Sequence, residues 1–271
     1  MTFACVLLLT ALACFVGRRF IHRHPAALYV FAVAVDAAYL AAEFFGAPFW
    51  LWNPLFLLVQ KCLLALALFA VVMGIGCFSR ASSVSVWLRP VRAELSIAAC
   101  LLAVGHMVAY VGTYVSRLAM GSAKDHVVLA FAVAMALTVL LAVLGVTSVS
   151  QVKRRMRADT WARLQKGAYV FFGLVYVHLA LMLVPAASRG GASAQESLAV
   201  YTAVFGVYAV ARIYRAVCDA RERRSAESAL DAAAALSTAS ASDGTAPSAP
   251  SAPGFAPNAS ASPDWEEIPV A

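Results

Sequence analysis

Two histidines, His106 and His178, lie deep inside apolar stretches of this 271-residue chain. The first stretch reads AVGHMVAY around His106, and the second reads VYVHLAL around His178. A neutral imidazole is a good ligand for iron and copper. Two histidines on neighbouring helices can hold a heme iron between them. This pair is therefore the first candidate for a cofactor site.

The elements that position these histidines must be membrane helices. Hydrophobic residues make up 62% of the chain and charged residues 13%, whereas a soluble domain has about 45–50% apolar and about 25% charged residues. Several apolar runs approach or exceed the length of about 18 residues that is typical of a bilayer-spanning helix. The sequence predicts an all-α, polytopic membrane helix bundle with about seven transmembrane helices, over residues 2–16, 26–45, 55–77, 95–115, 127–149, 168–186 and 198–217.

The distribution of basic residues predicts the orientation of these helices. Seventeen of the 21 Lys and Arg residues follow the first, third, fifth and seventh runs or lie at their ends. Arg18, Arg19 and Arg23 follow the first run, which is the wrong order for a cleaved signal peptide. By the positive-inside rule, the N-terminus is outside and the C-terminus is cytosolic. The expected location is the plasma membrane of a bacterial-type cell, with the lipid membrane as a partner and no nucleic acid, since the basic residues flank spans.

The two histidines are predicted to lie at the same depth. His106 is 11 residues into its run and His178 is 10 residues into its own, which places both roughly 15–16 Å from the cytosolic end. Gly105 would let its helix approach a flat ring closely, and Phe171, two turns before His178, could stack beside a macrocycle. The sequence thus predicts a single b-type heme near mid-bilayer, with His106 and His178 as the metal ligands.

Other ionisable residues leave alternatives open. Asp36 and Glu43 share one face of the second run, and Lys61 lies in the third. Glu43 and Lys61 are expected to form an ion pair, and Asp36 is either a proton-relay group or an interhelical hydrogen-bond partner. A transporter or channel that uses these three residues is one alternative. A membrane scaffold without a cofactor is another, because a lone membrane histidine often only bonds a neighbouring helix.

Two blocks of the sequence resemble a known family. Residues 147–183 and 94–114 are similar to the two ligand-bearing regions of ferric-reductase-like transmembrane domains, most of all to the branch of MsrQ-type heme-binding membrane subunits. In that family a helix ending in Thr-Ser leads into a basic loop, then Trp-x-x-Leu, then an aromatic helix with a heme-ligating histidine. The matching features are Thr147 and Ser148, the basic residues 153–157, Trp161 and Leu164, and His178.

The resemblance covers roughly residues 55–217 and implies bis-histidine ligation of heme b by His106 and His178. It also implies a redox partner protein, either a flavoprotein reductase or an extracytoplasmic reductase, and possible use of a quinone or of a partner's flavin. The chain itself would be an electron-transfer subunit of an oxidoreductase system. Relatives generally carry a further histidine where this chain has Gln165, and we therefore expect one heme.

The domain organisation follows from these assignments. Residues 1–54 are predicted to form two N-terminal transmembrane helices, and residues 55–217 the heme-binding core. Residues 225–271 are rich in Ala, Ser and Pro, a composition that predicts a disordered cytosolic tail.

Overall fold

The computed structural model describes residues 2–79, 81–121 and 124–242, and within these ranges the chain is helical and contains no strand. Arg80, one of the basic residues counted above, lies outside the described residues. The helices are α1 (Thr2–Val16), α2 (Arg18–Arg23), α3 (Pro25–Phe45), α4 (Phe49–Leu55), α5 (Leu63–Ile75), α6 (Ser83–Leu88), α7 (Arg92–Ala119), α8 (Asp125–Ser148), α9 (Ser150–Arg155), α10 (Ala158–Gln165), α11 (Gly167–Ala187) and α12 (Ala192–Ser242).

The long helices indicate a membrane protein and confirm an all-α helical bundle. Among the described residues, five helical stretches are long and apolar enough to cross a membrane, and a sixth is formed if α4 and α5 count as one bent span. The helix α1 is apolar but has 15 residues, fewer than the roughly 20 that a perpendicular span needs. The five stretches are Pro25–Phe45, Ser83–Arg117, Asp125–Ser148, Ala158–Ala187 and Ala192–Ala235.

The helix α7 lies at the centre of the bundle, against α3, α5 and α8. Its inward face repeats every three or four residues, as a helix buried along one side requires. Two of the residues on this face are alanines, and small side chains let membrane helices pack closely. The face consists of Leu95, Ala98, Ala99 and Leu102, each at most 2% exposed.

The chain divides into two compact units, Met1–Asp219 and Ala220–Ala271. The first contains all the helices that pack around α7. In that unit α11 lies along α8, and Phe172 stacks on Phe205 of α12 with ring centroids 4.4 Å apart. Phe3 of α1 and Tyr201 of α12 are also in ring contact, at 4.8 Å.

The third predicted span is broken, which corrects the expectation of one continuous helix over residues 55–77. A π-helical segment, Phe56–Gln60, follows α4 directly, and the Lys61 amide donates to the Phe56 carbonyl at 2.9 Å. Cys62 then takes a left-handed conformation with a φ of 57°. This conformation interrupts the helical path, and α5 leaves the break at an angle of 44° to the preceding segment.

The helix α12 continues through Ser242, so the prediction of a disordered tail from residue 225 is wrong for residues 225–242. The physical reason is the sequence ALDAAAAL, since alanine and leucine are among the residues with the highest helix propensity. Within the second unit the helix is exposed from Arg221 to Ala235. The remaining part of the predicted tail, 243–271, lies outside the described residues.

Candidate functional site

His106 and His178 line the same cavity. Its volume is about 310 Å³, and it lies between the π-helical segment, α5, α7, α8 and α11. The walls are largely apolar and include Leu66, Met107, Leu141, Val175 and Leu179. The two histidines therefore reach one cavity from different helices, His106 from α7 and His178 from α11.

The break in the third span provides the hydrogen-bond acceptor for His106. Gln60 is the last residue of the π-helical segment, so its carbonyl stands where the helical hydrogen-bond ladder is interrupted. The Nδ1 atom of His106 lies 2.8 Å from this carbonyl oxygen. Because a carbonyl can only accept, Nδ1 must carry the proton, and the lone pair of Nε2 is left available.

His178 is held in the same way by α8. Its Nδ1 atom lies 3.1 Å from the carbonyl oxygen of Ala130, and the same reasoning leaves its Nε2 lone pair available. Ala130 is fully buried, and its small side chain lets α11 approach the backbone of α8. Both imidazoles thus have a fixed orientation and tautomer, as metal-bound histidines have when their second nitrogen donates to a carbonyl.

A site with two histidines can provide the protein ligands of a porphyrin-bound iron but too few side chains to hold a free metal ion. Within the described part of the chain, no three His, Cys, Asp or Glu side chains form a group that could hold a metal ion by themselves. A porphyrin-bound iron needs no more than two protein ligands, because the macrocycle provides four nitrogens. The residues that could hold such a group are therefore His106 and His178.

Aromatic side chains extend from the histidines along the cavity. Phe171 is buried and lines it. In the other direction, the Tyr110 ring lies 5.0 Å from the His106 ring, and Tyr114 follows at 5.7 Å from Tyr110. Tyr114 stacks on Phe131 of α8 at 6.0 Å. The wall is therefore aromatic from His106 toward the C-terminal end of α7.

Gly105 precedes His106 in the sequence, but it faces α3 and not the cavity that His106 lines. It is not among the residues that line the cavity. A Cβ atom added to Gly105 would overlap the carboxyl group of Asp36 on α3, so the glycine allows α3 and α7 to pack closely. The Oδ1 atom of Asp36 is buried here without a hydrogen-bond partner.

The other ionisable residues are not brought together. Tyr39 donates a hydrogen bond to Glu43 at 3.0 Å, while the Lys61 ammonium lies 5.4 Å from the centre of the Phe56 ring. The described contacts include no ion pair between Glu43 and Lys61, and this expectation is therefore wrong. Lys61 instead lines the cavity with the two histidines, whereas Asp36 and Glu43 do not.

The block that resembles the ferric-reductase-like family forms a local cluster where α8 meets α9 and α10. Trp161 donates to the Thr147 carbonyl at 3.1 Å, and Gln165 donates to the Thr147 hydroxyl at 3.3 Å. The Lys153 ammonium lies 4.4 Å from the centre of the Trp161 ring. Gln165 is thus engaged in a structural hydrogen bond.

Sequence reasoning missed the main-chain carbonyls of Gln60 and Ala130. The polar pair Gln60 and Lys61 in the middle of an apolar run is a signal that could have indicated a break. Ala130 carries no signal, because any residue offers a carbonyl and only the packing of α11 on α8 selects this one.

Comparison with known proteins gives one curated match that carries no functional description. A protein of Treponema pallidum (strain Nichols), described as an uncharacterized protein, is 43% identical over 128 residues. The match covers 46% of this chain and 36% of that relative, so this chain spans about a third of the relative's length. No family model and no solved structure matches the chain.

Proposed function

We propose that this protein is a membrane electron carrier that holds a single b-type heme between His106 and His178. One observation carries the proposal. Both imidazoles line one cavity, and each has its Nδ1 atom against a main-chain carbonyl. Each therefore presents an Nε2 lone pair as a ligand. The proposed relationship is to the ferric-reductase-like family, in its MsrQ-type branch.

The chemistry of the cavity lining supports this proposal, because it combines two imidazoles with apolar and aromatic side chains. Its volume of about 310 Å³ is at the lower end of the range of about 300–1,000 Å³ for small-molecule sites. Bound heme would supply a one-electron iron couple. The chain's own part is to orient the two imidazoles, to keep water away with apolar walls and to present the Phe171 ring as a wall. Axial ligation, second-shell hydrogen bonds and burial are the means by which a protein sets a heme potential.

Support for one heme comes from the packing toward the N-terminal end of α7. Leu95, Ala98, Ala99 and Leu102 belong to a closely packed cluster there, together with Leu141 of α8. A second macrocycle would have to displace this core. Gln165, at the place of the further histidine in relatives, is bonded to Thr147. A single heme leaves a long distance to at least one membrane surface, which a quinone or a partner's flavin would bridge.

The proposed topology has seven spans, with the N-terminus outside and the C-terminus in the cytosol of a bacterial-type cell. In this arrangement α1 is a short span, and α4 to α5 form one bent span. The proposed donor is a flavoprotein reductase or a quinol, and the proposed acceptor is an extracytoplasmic reductase. The alternative of a transporter has less support, because Asp36, Glu43 and Lys61 do not share a site.

The test is the heme content of the purified protein. Absorption spectra of the oxidised and dithionite-reduced forms in detergent, with a pyridine hemochrome assay, should give a low-spin b-type spectrum at about one heme per chain. His106→Ala and His178→Ala should each abolish this spectrum. His126→Ala, at the start of α8 and away from the cavity lining, is the matched control and should retain the heme. A heme content that neither of the two cavity variants changes would refute the proposal.

A further inference from the structure

The cavity that holds the histidines has a single charged wall residue. Among the described residues that line it, Lys61 is the one cation, and no carboxylate is present. Its other polar lining groups are neutral, apart from the histidines discussed above: Gln60, Cys62, Tyr110, Tyr114 and Thr138. A cation at the lining of an apolar cavity is electrostatically complementary to an occupant that carries negative charge.

Among the residues that the structure describes, no carboxylate forms an ion pair with Lys61. Glu43, the partner that the sequence suggested, accepts a hydrogen bond from Tyr39. The Lys61 ammonium faces the Phe56 ring, and this contact leaves its donor hydrogens for another acceptor. The adjacent Gln60 also has a buried side-chain oxygen without a hydrogen-bond partner. The break therefore places the Lys61 donors beside the cavity, whereas the Gln60 oxygen is an acceptor and cannot bind an anion.

We propose that Lys61 binds the carboxylates of the tetrapyrrole, so that the propionate edge of the macrocycle faces the break in the third span. This inference rests on the proposed function, because it assigns a binding residue for the same ligand. A b-type heme carries two propionates on one edge, and an ammonium is a suitable donor to a carboxylate at short range. The amide of Gln60 and the hydroxyl of Tyr110 line the same cavity and can donate to the same groups.

The assignment explains why the chain breaks a span at this position. The left-handed Cys62 and the π-helical turn before it bring the Gln60 carbonyl to His106 and Lys61 to the cavity lining. The same break thus positions His106, a proposed iron ligand, and Lys61, the proposed contact of the carboxylates. Because Lys61 is exposed, replacing its side chain leaves no void in the core.

The experiment compares two ligands that differ in charge. Heme-free full-length protein in detergent is titrated with hemin and with hemin dimethyl ester, and binding is followed by absorbance. Lys61→Gln should weaken hemin binding about tenfold, as the loss of a charge-assisted hydrogen bond does, and should leave the ester unaffected. Lys61→Arg should bind hemin nearly as well as the wild type. Lys166→Gln, an exposed lysine between α10 and α11, is the control and should change neither affinity.

The outcomes separate the two proposals. If the wild type binds neither ligand, the heme itself is refuted, and this inference with it. If the wild type binds hemin and Lys61→Gln binds it equally well, only the role of Lys61 is overturned. An equal loss of affinity for hemin and for its ester would also overturn it. The loss of a carboxylate contact should weaken the binding of hemin alone, because the ester has no free carboxylate.

Discussion

Replacing Gly105 with alanine should destabilise the bundle, whereas the same change at Gly112 should stabilise it. Both glycines lie in α7. A Cβ atom at Gly105 would overlap the carboxyl group of Asp36, while one at Gly112 would have no heavy atom within 4 Å. Asp36 is a short side chain, so its whole carboxyl group must leave its position to admit the new methyl group.

The magnitude follows from two opposing effects. Alanine in place of glycine within a helix is favourable by about 1 kcal/mol, and this gain should appear in full at Gly112. At Gly105 the overlap adds a cost of about 1–3 kcal/mol, as extra atoms in a filled interior do. The two variants should therefore differ in their free energy of unfolding by about 1–3 kcal/mol. This difference corresponds to several degrees in the unfolding temperature, at about 2–4 °C per kcal/mol for a chain of this size.

The assay is thermal unfolding in one detergent, followed by circular dichroism, for the wild type, the two single variants and the double variant Asp36→Ala with Gly105→Ala. Removal of the Asp36 carboxyl group should abolish the penalty, because the overlapping atoms are then absent. If Gly105→Ala raised the unfolding temperature as much as Gly112→Ala, the close packing of α3 on α7 at this point would be refuted. The same result would leave the cavity unaffected, since Gly105 does not line it.

Two further predictions concern the break and the family-like block. At Cys62, whose φ is 57°, the glycine variant should be more stable than the alanine variant by about 1 kcal/mol. At Cys100, which lies inside α7, the alanine variant should be the more stable of the two. Thermal unfolding of the four variants tests this opposite order of stability at the two positions. Gln165→His should not add a second heme, because the core around Leu95, Ala98 and Leu102 fills the space toward the N-terminal end of α7. A pyridine hemochrome assay that gives two hemes per chain would contradict this.

Residue counting predicts that His106 and His178 lie near the middle of their helices, and in the structure both lie well inside α7 and α11 and line one cavity. Depth along a helix depends on residue number and a fixed rise, so counting residues from the ends of two apolar runs places both near mid-helix. Counting residues does not predict how each helix is rotated about its own axis, because this rotation depends on the helices that pack against it. Gly105 shows the difference, because the sequence places it beside His106 while the packing turns it toward α3.

The polar pair Gln60 and Lys61 signals a break in the third span, but the left-handed conformation of Cys62 could not be predicted. The segment LVQKCLL contains no glycine or proline, the residues that usually mark an interrupted helix. Its left-handed residue is a cysteine, a type that rarely adopts this conformation. In a continuous third span, Lys61 would lie at a depth similar to that of Glu43. The sequence-based prediction of their ion pair assumed such a helix and failed for this reason.

The acceptor that holds His106 is a main-chain carbonyl, and every amino acid at position 60 would supply one. Point substitutions there can alter the Gln60 amide but cannot delete this hydrogen bond. A change in residue number is different. Removing one residue from the Phe56–Gln60 segment would restore an ordinary α-helical turn and rotate the following chain by about 100°. This wall of the cavity should therefore tolerate most substitutions in a mutational library and reject single-residue deletions.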